Sequence, residues 1–423
     1  MWDENMPKFA HISDCHLGAH RDPILQKLEL EAFDKALTKC IEEEVDFIII
    51  SGDLFHSNIP DMGVVNLAVK KMREVRDKGI PIYVIYGSHD YSPNKTSIVD
   101  ILDSAGLFNK IVKGKVENGK LKLEFTQDPK TNAKLVGISA RKIGIEEKYF
   151  EILDRTSLEK EEGFKIFVFH SALTEFKPDF LARMASIPIS YLPKGFDYYA
   201  GGHIHKRIEE SLPGYGRIVY PGPLFAGYPR DLEQSARGEK RGFYIVSFNE
   251  KVEKVEFIEI KICDYLFFDY DASNKNSSQV QRELIQKIKD LDVKDKIVLL
   301  RVKGELSGGK TSDINFSQIR KILMEKGALH ININRFGLTS REYTSLKVMG
   351  EDIHEIESKL LKESIGTVKV SIDSLKGEKG AHLAFELLNA LRQEQKPNES
   401  KKDYEERVLT QAIEVLKLTE VFE

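Results

Sequence analysis

Aspartate and histidine side chains follow five apolar runs in the first half of the sequence. Each run has the length and composition of a buried β-strand, and each ends in the same kind of polar residue. Because the carboxyl ends of parallel strands meet at one edge of a sheet, we expect these residues to converge. In chain order they are Asp14, His16, Asp53, His56, His89, Asp90, His170, His203 and His205, and Ser88 lies beside His89 in the third junction.

Carboxylate oxygens and imidazole nitrogens together are a typical ligand set for Mn²⁺, Fe²⁺ or Zn²⁺. There are more candidate ligands than one ion takes, so the sequence predicts two ions about 3.5–4 Å apart, bridged by a carboxylate such as Asp53. Any one of these residues alone would be an ordinary turn residue, and only the five junctions together favour a metal site. His11 lies inside its strand and is expected to be a hydrogen-bonded structural residue.

The elements that must position these residues alternate between strand and helix. Over residues 1–258 this alternation predicts an α/β core. A smaller α/β unit is expected at 259–342, followed at 343–423 by a linker and a helix–loop–helix whose second helix begins with a capping box of Ser400 and Asp403. The apolar stripe on each terminal helix either packs on the protein itself or contacts a partner.

The composition excludes several classes of protein. Lys and Arg number 63 and Asp and Glu 67, and the resulting net charge of −4 does not indicate a nucleic-acid binder. No apolar run approaches the roughly 20 residues of a membrane helix, and the N-terminus is unlike a signal peptide. Three cysteines without metal-type spacing suit a reducing cytoplasm, so we expect a cytoplasmic protein without a membrane segment.

The junction motifs resemble those of the calcineurin-like metallophosphoesterase superfamily. The stretches HISDCHLG and GDLFHS are similar to one branch, the Mre-eleven/SbcD nuclease family of DNA double-strand-break repair. The resemblance implies a metallophosphoesterase-type β-sandwich flanked by helices at 1–258 and a DNA-capping domain at 259–342. The matching motifs are Asp14-x-His16, Gly52-Asp53, Gly87-Ser88-His89-Asp90, His170 and Gly202-His203-x-His205.

The resemblance also implies a role for each residue of the site. His89 would be a catalytic residue beside the scissile phosphate, and His56 would position the strand end for exonuclease action. Asp90 would orient its surroundings from behind the ligands, or form a salt bridge elsewhere. The implied ligands are Asp14, His16, Asp53 and His205 for one ion, and Asp53, Ser88, His170 and His203 for the other.

The implied activity is that of a Mn²⁺-dependent nuclease that acts as a 3′–5′ exonuclease on double-stranded DNA and as an endonuclease on single strands. The implied protein is a homodimer that works on DNA ends near the nucleoid of a prokaryotic-type cell. Its C-terminal helices would bind a Rad-fifty/SbcC-type coiled-coil ATPase. Candidate cations for the DNA backbone are Arg141, Lys142, Lys206, Arg207 and the basic residues of a loop at 229–242.

Two other functions stay open. A metallophosphoesterase acting on nucleotides or phosphoproteins would need neither the capping unit nor the helix pair. A non-catalytic scaffold would have kept the fold without the chemistry, and only Ser88 supports that reading.

Ser88 departs from the resembled family, which usually has Asn at this position. A serine hydroxyl is short and a weak ligand. It could bind an ion if the loop moves in, hold a water, or leave the ion weakly held.

Residues 304–311 match the phosphate-loop pattern GxxxxGK[ST]. The next helix is expected to begin only after Asp313, so the loop amides would not lie at a helix N-terminus. We therefore expect a connection here rather than a nucleotide site.

Overall fold

The computed structural model describes residues 6–92, 96–141, 146–177, 185–341, 377–396 and 399–416, together with residues 361 and 375. The described residues form eighteen strands, ten α-helices and three single-turn 3-10 helices, Thr174–Phe176, Ile189–Tyr191 and Thr311–Asp313. The strands are β1 Lys8–Ile12, β2 Phe47–Ile50, β3 Ile82–Val84, β4 Asn109–Lys110, β5 Gly114–Glu117, β6 Lys120–Leu123, β7 Thr126–Gln127, β8 Lys134–Ile138, β9 Lys165–His170, β10 Tyr198–Gly202, β11 Ile208–Ser211, β12 Arg217–Tyr220, β13 Gly242–Phe248, β14 Val252–Glu259, β15 Asp264–Asp271, β16 Lys296–Leu306, β17 His330–Asn334 and β18 Leu338–Ser340.

Several helices begin after a residue whose side chain caps the first turn. The side chain of Asp22 accepts hydrogen bonds from the first amides of α1, and Asp61 does the same for α2. The ten helices are α1 Pro23–Glu42, α2 Met62–Asp77, α3 Ile98–Ser104, α4 Glu146–Glu151, α5 Arg155–Glu159, α6 Pro229–Ala236, α7 Ser277–Lys289, α8 Phe316–Glu325, α9 Gly377–Leu391 and α10 Lys401–Val415.

Two six-stranded sheets carry the strand ends that hold the site. The first has the order β14-β13-β1-β2-β3-β4, and β1, β2 and β3 are parallel. The second has the order β11-β12-β10-β9-β8-β7, and β8, β9 and β10 are parallel. The five apolar runs that end in Asp or His form β1, β2, β3, β9 and β10, and two further apolar runs expected to be strands, KLVGIS and GFYIVSF, form β8 and β13. The hairpin β5–β6 and strands β4, β7, β11, β12 and β14 were not predicted.

The two sheets face each other across a shared apolar core. Phe9 and Ile49 of the first sheet are buried in one cluster with Val168 and Tyr198 of the second. The opposite face of the first sheet packs on α1 and α2, and the outer face of the second packs on α4 and α5. The predicted β-sandwich flanked by helices is confirmed.

The remaining elements belong to two compact units. The first comprises the described residues of 1–271, 281–303 and 315–337, and within it β15, β17 and residues 296–303 of β16 form a parallel sheet. The second comprises 272–280, 304–314 and the described residues from 338 onward, including α9 and α10. Helices α7 and α8 and strands β15 to β18 lie in the span expected to be a smaller α/β unit, 259–342, while the predicted domain boundaries stay predictions.

Two predictions, for the phosphate-loop match and for the basic loop, can be compared directly with the structure. Helix α8 begins at Phe316, beyond Lys310 and Thr311, as the sequence predicted. The segment 229–242 is not a loop throughout, because Pro229–Ala236 is helix α6. Among the described residues, no helix is long and apolar enough to cross a membrane.

Candidate metal centre

Tight turns after β1 and β2 bring the first ligand candidates together. The amide of Asp14 donates to the carbonyl of Gly52 at 3.2 Å, and that of His16 donates to the carbonyl of Asp53 at 2.9 Å. Asp14, His16 and Asp53 all have positive φ angles, of 51°, 47° and 51°. Such angles are uncommon outside glycine and recur at functional sites.

The loop after β3 approaches the same point through Gly87. A Cβ atom at this position would lie 2.0 Å from Oδ1 of Asp53. Only glycine therefore lets the loop carrying Ser88 and His89 come this close to the carboxylate. The amide of His89 uses the approach and donates to the same Oδ1 at 2.8 Å.

Besides a group of His16, His56 and His89, the described residues contain two clusters of potential metal ligands that meet around Asp53. One contains Asp14, His16 and His205, and the other contains Asp53, His170 and His203. Oδ2 of Asp53 lies 3.1 Å from Nε2 of His170 in its own cluster and 3.7 Å from Nε2 of His16 in the other. The carboxylate thus reaches both clusters, as the predicted bridging role requires.

The outer nitrogens of two ligand candidates are already hydrogen-bonded. Nδ1 of His170 donates to the carbonyl of Ser51, and Nδ1 of His205 donates to the carboxylate of Asp231, both at 2.8 Å. These bonds place the proton on Nδ1 of each neutral ring and leave Nε2 as a lone pair facing the site. Nε2 of His205 then lies 3.0 Å from Nε2 of His16.

The donor set fits a divalent cation. Within the described part of the chain, Nε2 of His170 is buried and makes no hydrogen bond. A buried imidazole nitrogen that faces carboxylates needs a positive charge between them, which a cation or, without one, a proton supplies. One carboxylate and two imidazoles in each cluster match the preferences of transition-metal ions.

Burial and charge shift the pKa values in the clusters in opposite directions. Burial disfavours the charged form of His170, but the facing carboxylates of Asp53 and Asp14 outweigh it and raise the pKa of this histidine to about 10. Burial also disfavours the charged form of Asp53, but His170 and His16 hold the pKa of its carboxyl well below the usual range. Burial and the neighbouring His170 lower the pKa of His203 to about 3. Asp53 is therefore an anionic ligand at neutral pH.

His89 stands beside the clusters with both ring nitrogens engaged. Nδ1 donates to the carbonyl of His56 at 2.7 Å, so in the neutral ring Nε2 accepts the hydrogen bond from the Tyr228 hydroxyl at 2.8 Å. The rings of His56 and His89 stack at 4.8 Å, and Nδ1 of His56 lies 3.3 Å from Nδ1 of His16. The two histidines expected to be catalytic thus form one group at the edge of the first cluster.

Ser88 and Asp90 both lie near Asp53 but make different contacts. The Ser88 hydroxyl lines the pocket and donates to Oδ2 of Asp53 at 3.4 Å. Asp90 is fully buried and accepts from the amides of Leu54, Phe55 and Gly87, which ties the β2 and β3 loops together. Burial, with the nearby charge of Asp53, raises the pKa of Asp90 to about 6.

The site opens into a pocket of about 330 Å³. Of the basic residues predicted to contact DNA, Lys206 and Arg230 line this pocket. Arg207 instead lies over the ring of Phe257, and Arg241 is buried, where it donates to the carbonyl of His205. Arg141 lies over the ring of Tyr91, and Lys142 is outside the described residues.

Two residues of the site, Tyr228 and Asp231, were not predicted from the sequence. Tyr228 contacts His89, and its ring lies 5.4–5.6 Å from the rings of His16, His56 and His205. Asp231 holds His205 and accepts from the amides of Gly227 and Tyr228. The signal was the start of α6, where proline at the first position and aspartate at the third are typical of a helix N-terminus. His11, by contrast, is held by Tyr198 and Ser51 as predicted.

Comparison with known proteins points to one family. The model of the calcineurin-like phosphoesterase family matches residues 7–207. The chain is 30% identical to the DNA double-strand break repair protein Mre11 of Sulfurisphaera tokodaii over 67% of this chain and 69% of that protein. It is 29% identical to the Sulfolobus acidocaldarius protein of the same name, over 71% of this chain and 75% of the other.

A third relative extends the match along the chain. The Archaeoglobus fulgidus protein, also named DNA double-strand break repair protein Mre11, is 26% identical over 83% of this chain and 82% of its own length. The paired Asp and His clusters lie within the region that the phosphoesterase model matches. The chain therefore belongs to the Mre11 family within the calcineurin-like phosphoesterases, and it is a DNA-repair nuclease that hydrolyses phosphodiester bonds.

Proposed function

We propose that this nuclease uses two divalent ions, Mn²⁺ in the cell, to process DNA ends as a 3′–5′ exonuclease on duplexes and an endonuclease on single strands. The observation that carries the proposal is the position of Asp53, whose carboxylate reaches a ligand of each cluster. Membership of the Mre11 family supports DNA as the substrate.

The proposed ligands follow the two clusters. Asp14, His16 and His205 would hold one ion, His170 and His203 the other, and Asp53 both, with Ser88 completing the second set. When bound, the two ions would activate a water at neutral pH and neutralise the charge of the phosphate. Asp90 would act from behind them by fixing the loops that carry Asp53 and Ser88.

His89 is the proposed catalytic residue of the chain itself. Its Nε2 faces the pocket, where it can hold a proton and give it to the leaving 3′-oxygen. His56 fixes the orientation of that ring through its carbonyl and lies at the edge of the first cluster. This position suits a residue that places the strand end for exonuclease action.

Two surfaces support the proposed partners. Ile59 and Met62, near the start of α2, are 75% and 60% exposed, and such apolar side chains suit a homodimer contact. The α9–α10 helix pair exposes Leu391 and Leu409, which suits the proposed docking of a Rad-fifty/SbcC-type ATPase. We also propose that 259–342 acts as the DNA-capping domain and that the protein works at the nucleoid.

The nuclease proposal is tested with end-labelled duplex and hairpin DNA in the presence of Mn²⁺ or Mg²⁺. We expect cleavage by the wild type and a loss of about 10²–10⁴-fold in His89→Ser, the range typical of a missing general acid. The variant should retain Mn²⁺ binding in calorimetry. Undiminished cleavage by His89→Ser would refute the role of this residue.

A second substrate separates the alternatives. Hydrolysis of a small chromogenic phosphodiester with no cleavage of DNA would favour a phosphoesterase acting on nucleotides or phosphoproteins. Failure to bind Mn²⁺ at all would exclude both enzymes and leave the scaffold.

A further inference from the structure

A second cavity, of about 460 Å³, lies next to the catalytic pocket on the other side of the start of α6. Its walls come from Pro229 and Glu233 of α6 and from the strands β15, β16 and β17. Arg230 lines both this cavity and the catalytic pocket. A DNA strand that leaves the catalytic pocket past Arg230 would therefore enter the second cavity.

The charge of the second cavity is positive. Three arginines line it, Arg230, Arg301 and Arg335, against one acid, Glu233. The carboxylate of Glu233 is already bound by Arg301 at 2.5 Å and by Arg237 at 3.0 Å. We call this cavity, with its three arginines, the arginine groove. An excess of guanidinium groups in a groove is typical of sites that bind phosphates.

Polar groups and a fixed guanidinium complete the wall formed by β17. The side chains of Asn332 and Asn334 line the groove and can exchange hydrogen bonds with a sugar or a base. Arg335 lies over the ring of Phe316, 5.3 Å from its centre, which restricts the positions of its guanidinium.

Phe336 follows directly after this wall and is 98% exposed. Its amide donates to Oδ1 of Asn334 at 3.0 Å, so the ring is attached to a turn that is anchored in the groove. A single exposed apolar side chain needs no explanation by itself. An exposed aromatic ring beside a row of arginines, however, is the combination that binds single-stranded nucleic acid by stacking on bases and pairing with phosphates.

We propose that the arginine groove and Phe336 form a binding site for an unpaired DNA strand that continues from the catalytic pocket. Arg301 and Arg335 contact its phosphates, and Phe336 stacks on one unpaired base. Because the faces of paired bases are covered within a duplex, this site favours ends with an overhang or a locally melted strand. The inference rests on the proposed function, since it takes DNA as the substrate of the adjacent pocket.

The site is tested by measuring the Kd of two fluorescent oligonucleotides of equal length, oligo(dT) and an abasic strand with the same number of phosphates. The full chain is used in a His89→Ser background, so that the DNA stays intact. We expect Phe336→Ala to weaken binding of oligo(dT) by roughly tenfold, the usual effect of one lost stacking contact. The same variant should bind the abasic strand like its parent.

Three further variants sharpen the test. Phe336→Trp should retain the affinity for oligo(dT), and oligo(dT) but not the abasic strand should quench its fluorescence. Arg335→Gln should weaken both strands and reduce the slope of log K against log salt by about 0.7, the value for one lost phosphate contact on a single strand. Val116→Ala, which removes an exposed side chain from the β5–β6 hairpin, is the control and should change nothing.

The proposal is overturned if Phe336→Ala binds oligo(dT) like its parent, or if it weakens both strands equally. A failure of the proposed function would look different. In that case the wild type would not cleave DNA, with or without hydrolysis of a chromogenic phosphodiester and whatever the binding results.

Discussion

The catalytic pocket is held by contacts between distant parts of the chain, whereas the α9–α10 helix pair is held by local ones. In the pocket, His16 meets His205 across 189 residues and His170 meets Ser51 across 119. In the helix pair, the Tyr404 hydroxyl donates to a carbonyl 11 residues earlier. The pocket also buries its polar groups, while the helix pair leaves Leu391 and Leu409 exposed.

This difference indicates which function depends on this chain alone and which depends on a partner. The pocket assembles its charges and donors within one chain, so its substitutions should change chemistry. The helix pair has stable local structure but an uncovered apolar surface, so its substitutions should change assembly and leave chemistry alone.

Of the substitutions that test this comparison, one at Asp53 should have the largest effect on activity. We expect Asp53→Asn to lower phosphodiester hydrolysis by at least about a thousandfold. Both ions would lose their shared anionic ligand, and such ions stabilise the transition state by several kcal/mol. Calorimetry should show weaker Mn²⁺ binding at both sites. Asp128→Asn, which alters another buried aspartate bonded to Thr131, should retain metal binding. Loss at only one metal site would contradict the bridging role.

The helix pair should respond in the opposite way. Leu409→Asp is expected to weaken binding of the coiled-coil ATPase by roughly 30-fold, the effect of losing about 2 kcal/mol at an interface centre. Hydrolysis of the chromogenic ester should be unchanged. Glu405→Ala, on the same helix, is the control, and equal binding by Leu409→Asp and the wild type would show that this face does not dock the partner.

Tyr228 tests whether the pocket depends on a contact that spans 139 residues. Tyr228→Phe removes the hydroxyl that meets Nε2 of His89, and we expect kcat to fall by about 3–10-fold, as for the loss of one hydrogen bond. KM for the chromogenic ester and Mn²⁺ affinity should stay near the wild-type values. Tyr83→Phe removes a buried hydroxyl bonded to Asp128 and should leave kcat unchanged. An equal fall in both variants would indicate general destabilisation.

Ser88 should give the smallest effect. Ser88→Asn provides a longer side chain with an amide oxygen next to Asp53, so activity at limiting Mn²⁺ should stay equal or rise about two- to fivefold, the result of up to 1 kcal/mol of tighter binding. At saturating Mn²⁺ the two proteins should be alike. A clear loss would show that the Ser88 hydroxyl is integrated into the site as it stands.

The sequence predicted those parts of the molecule that depend on short-range patterns. Apolar runs ending in Asp or His located the ligand candidates, and Ser400 located the start of α10, where its side chain accepts from the amide of Asp403. Tyr228 and Asp231 escaped because the segment was interpreted as a basic loop, although Pro229 and Asp231 are helix-start signals. The left-handed backbone of Asp14 and Asp53 depends on long-range packing, which no local pattern reports.

The arginine groove could not be predicted for the same reason. Arg230 and Arg335 are more than a hundred residues apart, and only the packing of α6 beside β16 and β17 places them on one cavity. Likewise, the apolar periodicity of α9 and α10 predicted which face of each helix is apolar. It did not predict what covers that face, because a partner's surface is encoded by another sequence.

The left-handed residues of the metal centre have a consequence for the lifetime of the protein. Each of Asp14, His16 and Asp53 adopts a conformation that costs about 1 kcal/mol, so the fold is weakened at its functional centre. An ion that binds only the folded chain stabilises it by about 2.7 kcal/mol at a hundred times its Kd, which is of the same order. The melting temperature should therefore follow the supply of the ion, and metal starvation would remove this protein through unfolding and proteolysis as well as through lost catalysis.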